Sequence, residues 1–162
     1  MNYHNIKHDD MLNGDGLRVT LFVSGCIHCC PNCQNPQTWD VNSGITFDSD
    51  AVCEILDALK KDYISGITLS GGDPLYTPNK KTIGILCQLI KDMFPQKTIW
   101  LYSGYLWEDV VGDEILEHID VFIDGEYEEA NRDVKLHWVG SSNQRVIDVK
   151  KSLEQGTVVL YE

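Results

Sequence analysis

The chain has 162 residues, 43% hydrophobic and 23% charged, which predicts one domain, residues 1–162, with a packed core. Its 13 Lys+Arg against 25 Asp+Glu leave a net charge of −12. An acidic surface repels phosphate backbones, which argues against a nucleic-acid role. No apolar run approaches the ~20 residues of a membrane span, and the opening "MNYHNIKHDD" carries no apolar signal core, so the expected location is the cytoplasm with no membrane contact.

In chain order, "LRVTLFVS" (17–24) is rich in β-branched and aromatic residues and stops at Gly25, a strand pattern. A loop rich in cysteine and proline runs on to about Trp39. From Asp48 to Lys61, Val52, Ile55, Leu56 and Leu59 recur at helical spacing, with Asp48 or Asp50 as the cap. "GITLSGG" (66–72) is a short apolar strand entering a glycine pair. Thr77-Pro78 then opens a helix, Thr as N-cap and Pro at N1, with Ile83, Leu86, Ile90 and Met93 or Phe94 as its buried stripe. "TIWLYSG" (98–104) is the next strand. Residues 107–118 predict a helix buried through Trp107, Val110, Val111, Ile115 and Leu116, and "IDVFIDG" (119–125) a further strand. A charged loop (126–134), a short strand at Leu136–Val139 and a final strand "TVVLYE" (157–162) complete the chain. Cys53 and Cys87 fall inside helices and are expected to be buried as small hydrophobes.

Strands alternating with helices imply an α/β fold with a mostly parallel sheet and right-handed crossovers. A closed eight-fold barrel needs about 250 residues, so the expectation is an open, partial barrel. Ligands in such folds bind beyond the C-terminal ends of the strands, where the cysteine loop and Gly71-Gly72 both lie.

Four of the six cysteines fall in "CIHCCPNC" (26–33). In a reducing compartment such clustering means metal or redox chemistry more often than disulfides. Structural zinc draws four ligands from two separated knuckles, and adjacent Cys29 and Cys30 make one tetrahedron awkward. An iron–sulfur cluster suits a single loop better. A closed electron carrier using all four thiolates is the competing reading, although its spacing differs and it needs no strand–helix scaffold. The window itself leaves Cys29 and Cys30 in contest for the middle ligand.

The Cys26-x3-Cys30-x2-Cys33 spacing resembles the signature of the radical S-adenosylmethionine superfamily. "NGDGLRVTLFVSGCIHCCPNCQNPQTW" (13–39), "LSGGDPL" (69–75), "IWLYSGY" (99–105), "IDGEY" (123–127) and "WVGSSNQR" (138–145) together resemble the activating proteins of anaerobic ribonucleotide reductase. The resemblance implies a partial (β/α) barrel of the radical S-adenosylmethionine type, with a [4Fe–4S] cluster on Cys26, Cys30 and Cys33 and Cys29 as a bystander. S-adenosyl-L-methionine would bind on the free iron, flanked by Asn32, Cys33 and Gln34 and by Gly71, Gly72 and Asp73. The implied activity is oxidoreductive: reductive cleavage to a 5′-deoxyadenosyl radical, which generates a glycyl radical on the large reductase subunit. The implied electron donor is of flavodoxin type. Two alternatives are an activase for a different glycyl radical enzyme and a small iron–sulfur carrier. Asn32 departs from the aromatic residue that the superfamily usually carries before its last cysteine.

Independently of the resemblance, glycines let a backbone approach a ligand closely, and Asp73 beside them would favour a cationic ammonium. Because the cofactor carries the hard chemistry, no side chain is assigned as a general acid or base. His28 reads first as a solvated loop histidine and second as a hydrogen-bond partner of a cluster sulfide. Asp124-Gly125 reads first as a turn and second as a ribose contact at the active rim. Trp138–Arg145 is either a partner contact or the closure of a sheet edge.

Overall fold

The computed structural model describes residues 1–162. Seven strands form one sheet in the order β3-β1-β2-β4-β5-β6-β7: β1 Asn2–Asp10, β2 Leu17–Val23, β3 Ile45–Thr46, β4 Ile64–Gly71, β5 Thr98–Tyr102, β6 Val121–Asp124 and β7 Arg145–Asp148. The central four, β2-β4-β5-β6, are parallel. The flanking pairs β1–β2, β1–β3 and β6–β7 are antiparallel. The expected α/β architecture is thus present as an open sheet with a parallel centre. No pairing joins β3 to β7, and the antiparallel flanks differ from the run of parallel strands that a barrel continues.

Helices α1 Ser49–Leu59, α2 Thr77–Met93 and α3 Trp107–Val110 connect successive parallel strands, and α4 Val149–Gln155 follows β7. Each crossover steps to the next strand in the same direction, so right-handed connections put these helices on one face. The core follows. Ala51, Ile55, Ala58 and Leu59 of α1 and Ile83, Leu86, Cys87 and Ile90 of α2 cluster with Val19, Leu21, Val23, Ile67, Leu69, Ile99, Leu101 and Phe122. The alternate residues of the same strands point the other way: Arg18, Thr20 and Phe22 on β2, Thr68 and Ser70 on β4, Trp100 and Tyr102 on β5. No helix covers that second face. Loops cover it, with Trp138, Val139 and Tyr161 packed on Trp100, Val121 and Ile123.

Arg18 anchors the second face. It is buried, yet it donates to Thr68 Oγ1 at 2.8 Å, to Thr98 Oγ1 at 3.0 Å and to the carbonyls of Asp15, Ile67 and Thr98. Its guanidinium also lies over the Trp100 ring. Full hydrogen bonding is what permits a cation in this position. Burial still pulls its pKa down to about 10.

Several elements depart from the sequence reading. The opening segment, left unassigned above, is β1. Tyr76 caps α2, so Thr77 and Pro78 lie one position further inside than expected. The expected 107–118 helix breaks at Gly112 into α3 and a 3-10 turn, Glu114–His118, which Asp113 caps; Val111 is exposed rather than buried, and of Met93 and Phe94 it is Phe94 that packs against the core. No strand forms at Leu136–Val139. Trp138 has φ 63, outside the strand region, and the apolarity of this stretch serves to cover the second sheet face. The strand lies later, at β7, followed by α4 between its cap Asp148 and the left-handed Gly156. The final strand is reduced to a single bridge, Ile147 to Leu160. Cys87 is buried, but Cys53 is exposed, because two helical residues turn it about 200° away from Ala51 on the buried stripe. No helix is long and apolar enough to cross a membrane.

Candidate cluster and cofactor site

The four parallel strands end side by side, and the loops that follow them share one cavity of about 450 Å³. From the loop after β2 come Cys26, His28, Cys30, Cys33, Gln34 and Trp39; from β4, Ser70, Gly71, Gly72 and Asp73. Ser103 and Gly104 follow β5, and Gly125, Glu126 and Tyr127 follow β6. The floor includes Phe22, Ser70 and Tyr102 of the second sheet face. The expected location beyond the C-terminal strand ends is therefore observed.

Backbone bonds staple the root of the cysteine loop on both sides. Gly25 N donates to Thr38 O at 2.7 Å and Cys26 N to Trp39 O at 3.1 Å, while Asp73 N donates to Gly25 O at 2.8 Å. Asn79, buried in the first turn of α2, donates through Nδ2 to the carbonyls of Ser24 and Asp73. This approach is why glycines stand here. Gly71 has φ +98, and a Cβ on Gly72 would lie 2.5 Å from the Gly25 carbonyl oxygen.

The geometry separates the four clustered cysteines. Cys26, Cys30 and Cys33 line the cavity. Cys29 is exposed and off its wall, in a left-handed turn at φ 48. Its neighbour Cys30 is buried at 8% exposure. Burial pushes the Cys26 thiol up to about 11 and raises Cys30 as well, so charge on these sulfurs needs a bound cation to compensate it. No three His, Cys, Asp or Glu side chains converge closely enough to hold a single metal ion. A multi-iron cluster places each thiolate on a different iron, and a spread set of three suits it. The donor chemistry fits a cluster of that kind.

Gln34, Gly71, Gly72 and Asp73 also line the cavity. Asn32 does not; it is exposed, at φ 57. Asp73 is only 1% exposed. Its carboxylate accepts from Leu75 N, Ser103 Oγ, Gly104 N and His28 Nε2 at 2.8–3.1 Å. With its oxygens so occupied, it acts as a bridge between loops rather than as a free counter-ion. His28 is the main correction among the polar residues. Its side chain is 8% exposed, wedged between Asp73 and Glu126, with Nδ1 2.9 Å from Glu126 Oε1 and the ring edge-on to Tyr105. The hydrogen bond to Asp73, above all, raises its pKa.

The Ser141–Arg145 element, whose role residue type alone left open, clamps the loop after β6. Gln144 Oε1 accepts from Gly140 N and Ser141 N, and its Nε2 donates to Gly125 O. Asn143 donates to Glu126 O and Ser141 Oγ accepts from Glu128 N. Arg145 pairs with Asp124, fully buried, which also accepts from Trp107 N. Asp124 is thus the buried end of this clamp and takes no place on the cavity wall. The strand that follows, β7, closes the sheet edge at β6.

A family model for a 4Fe-4S single cluster domain matches residues 12–147. The chain is 47% identical over 146 residues to a protein of Enterobacteria phage T4, covering 90% of this chain and 93% of that one. It is 43% identical over 150 residues to a protein of Escherichia coli K12, covering 90% and 97%, and 40% identical over 148 residues to one of Haemophilus influenzae, covering 89% and 96%. All three carry the description anaerobic ribonucleoside-triphosphate reductase-activating protein.

Proposed function

Since the chain belongs to the family of anaerobic ribonucleoside-triphosphate reductase-activating proteins and carries their 4Fe-4S single cluster domain, we propose that it is a radical S-adenosylmethionine activating enzyme acting on the large subunit of that reductase. The observation that carries this reading is the selection of Cys26, Cys30 and Cys33 onto one cavity wall, with Cys29 turned out. Residues 1–162 are read as a single domain, the open sheet standing in for the expected partial barrel.

A [4Fe–4S] cluster held there would supply one electron, drawn from a flavodoxin-type donor, for reductive cleavage of S-adenosylmethionine into methionine and the 5′-deoxyadenosyl radical that would generate the glycyl radical on the partner. The chain's own part is binding and positioning. Cys26, Cys30 and Cys33 would hold the cluster, while Gln34 and the cavity-lining backbone at Gly71 and Gly72 would receive the methionyl and nucleoside groups. Of the residues assigned to S-adenosylmethionine, Asn32 acts by shaping the turn before Cys33 and Asp73 by bridging loops, as their geometry supports. Tyr102, Phe22 and Trp138 wall the cavity on the sheet side and exclude water from reactive species.

The test is anaerobic reconstitution with iron and sulfide. With a strong reductant, the protein is expected to convert S-adenosylmethionine to methionine and 5′-deoxyadenosine. With the reductase added, a glycyl radical is expected by electron paramagnetic resonance. Full cluster loading without cleavage would leave the closed-carrier alternative; cleavage without a radical on the reductase would point to a different glycyl radical partner.

A further inference from the structure

Ile27 and Cys29, the neighbours of His28, are both exposed, while the His28 side chain is turned in to 8% exposure. There it meets all three of the other loops at the cavity. Nε2 lies 2.8 Å from Asp73 Oδ2, after β4, and Nδ1 lies 2.9 Å from Glu126 Oε1, after β6. Tyr105, after β5, packs edge-on with its ring centre 4.8 Å away. A Cβ on Gly104 would stand 2.5 Å from the imidazole, so the ring fills the space that a side chain at 104 would take. With both nitrogens engaged, neither is left for a cluster sulfide. No lysine or arginine lines the cavity, and Asp73 and Glu126 are its only carboxylates; His28 stands between them. The two carboxylates bear on different cysteines, Asp73 on Cys26 and Glu126 on Cys30. Glu126 is itself held by the clamp, because Asn143 donates to its carbonyl.

We infer that His28 is a positioning residue for the cluster: by tying Asp73 and Glu126 to the stretch between Cys26 and Cys30, it fixes how those two sulfurs are placed and makes that placement depend on the loop after β6. This rests on the reading of Cys26 and Cys30 as cluster ligands. Side chains that orient the ligands of a metal site typically contribute 10–100-fold to its affinity or activity.

His28→Phe keeps a ring against Tyr105 and Gly104 and removes both nitrogens. Glu126→Ala breaks the tie from the far side, at a carboxylate that is 55% exposed. In iron-free protein, hydrogen exchange read by mass spectrometry should quicken across residues 26–34 in either variant. After anaerobic reconstitution, each should lose iron to a chelator about 10-fold faster than wild type, and the electron paramagnetic resonance spectrum of the reduced cluster should shift. The double variant should go no further than His28→Phe alone, since the shared tie is already gone. Glu126→Gln, which keeps an oxygen facing Nδ1, should restore iron retention and spectrum. A purely structural role would lower the melting temperature and leave the spectrum of the loaded cluster unchanged. That result, unchanged exchange in both single variants, or effects that simply add overturns the inference. If His28→Phe does not load, Glu126→Ala and Glu126→Gln decide by the same two measurements. Failure of wild type to load, or full loading after Cys30→Ala, sinks the cluster reading and this inference with it; unchanged exchange beside a loaded wild type sinks the inference alone.

Discussion

Replacing Arg145 with alanine tests whether the Ser141–Arg145 clamp holds the loop beside the cluster cavity. Asp124 is fully buried and accepts from the Arg145 guanidinium through both oxygens, as well as from Arg145 N and Trp107 N. Removing the guanidinium leaves a buried carboxylate with two backbone donors and no counter-charge. Breaking a buried pair in this way costs 3–5 kcal/mol in general. Arg145 is itself one-third exposed, so water partly replaces it and the lower end, about 3 kcal/mol, is expected. For a chain of this size that lowers the melting temperature by about 6–12 °C. Glu108, the other partner of Arg145, is 58% exposed, and Glu108→Ala should cost at most about 1 kcal/mol. Urea and thermal melts by circular dichroism measure both variants. If Arg145→Ala falls no further than Glu108→Ala, the clamp is not what stabilises this loop. Because residues 124–128 carry Glu126, which meets His28, the loosened loop should also lower iron retention after reconstitution.

Cys30→Ala should lose cluster loading and S-adenosylmethionine cleavage, while Cys29→Ala retains most of both, measured as iron per chain and 5′-deoxyadenosine formed; the reverse pattern would move the middle ligand to Cys29. Gly72→Ala forces a Cβ to 2.5 Å from the Gly25 carbonyl, backbone that cannot swing aside, and should cost about 1–3 kcal/mol together with weakened iron binding. A denaturation midpoint equal to wild type would show that the two loops do not approach as described. Burial alone would raise the Asp10 carboxyl, but donors from Asn13, Leu12, Lys7 and Thr20 together outweigh it and bring it down to about 2. Its folded pKa lies below the unfolded value, so its stabilisation is complete above about pH 4 and is lost as pH falls towards 2. The stability gap between wild type and Asp10→Asn, read from urea midpoints, should therefore close across that window; a gap constant with pH would contradict it.

The central βα units were legible because each strand there is a continuous apolar or β-branched run that ends on glycine, and α1 and α2 carry their stripes at helical spacing. The cysteine window announced a metal site by density alone. The outer elements were not legible for a physical reason. Strand β1, "NYHNIKHDD", is polar because it lies at the flank of the sheet, and β7 is only four residues long. The apolar run at 136–139 looked like a strand because covering a sheet face and belonging to a sheet demand the same residues.

Composition and local pattern by themselves determined an acidic α/β chain with thiol chemistry in the loop after the strand at 17–24. Those properties belong to residue types and short spacings, which need no partner from elsewhere in the chain. Only the tertiary structure decided which thiols face the cavity: Cys26, Cys30 and Cys33 line it, and Cys29 stands exposed. It likewise turned Asp73 from a free carboxylate into a bridge and His28 from a loop residue into a wedge. It also joined Arg145 to Asp124 across 21 positions. Contacts of that kind depend on which strand ends lie side by side, and no local pattern encodes that order.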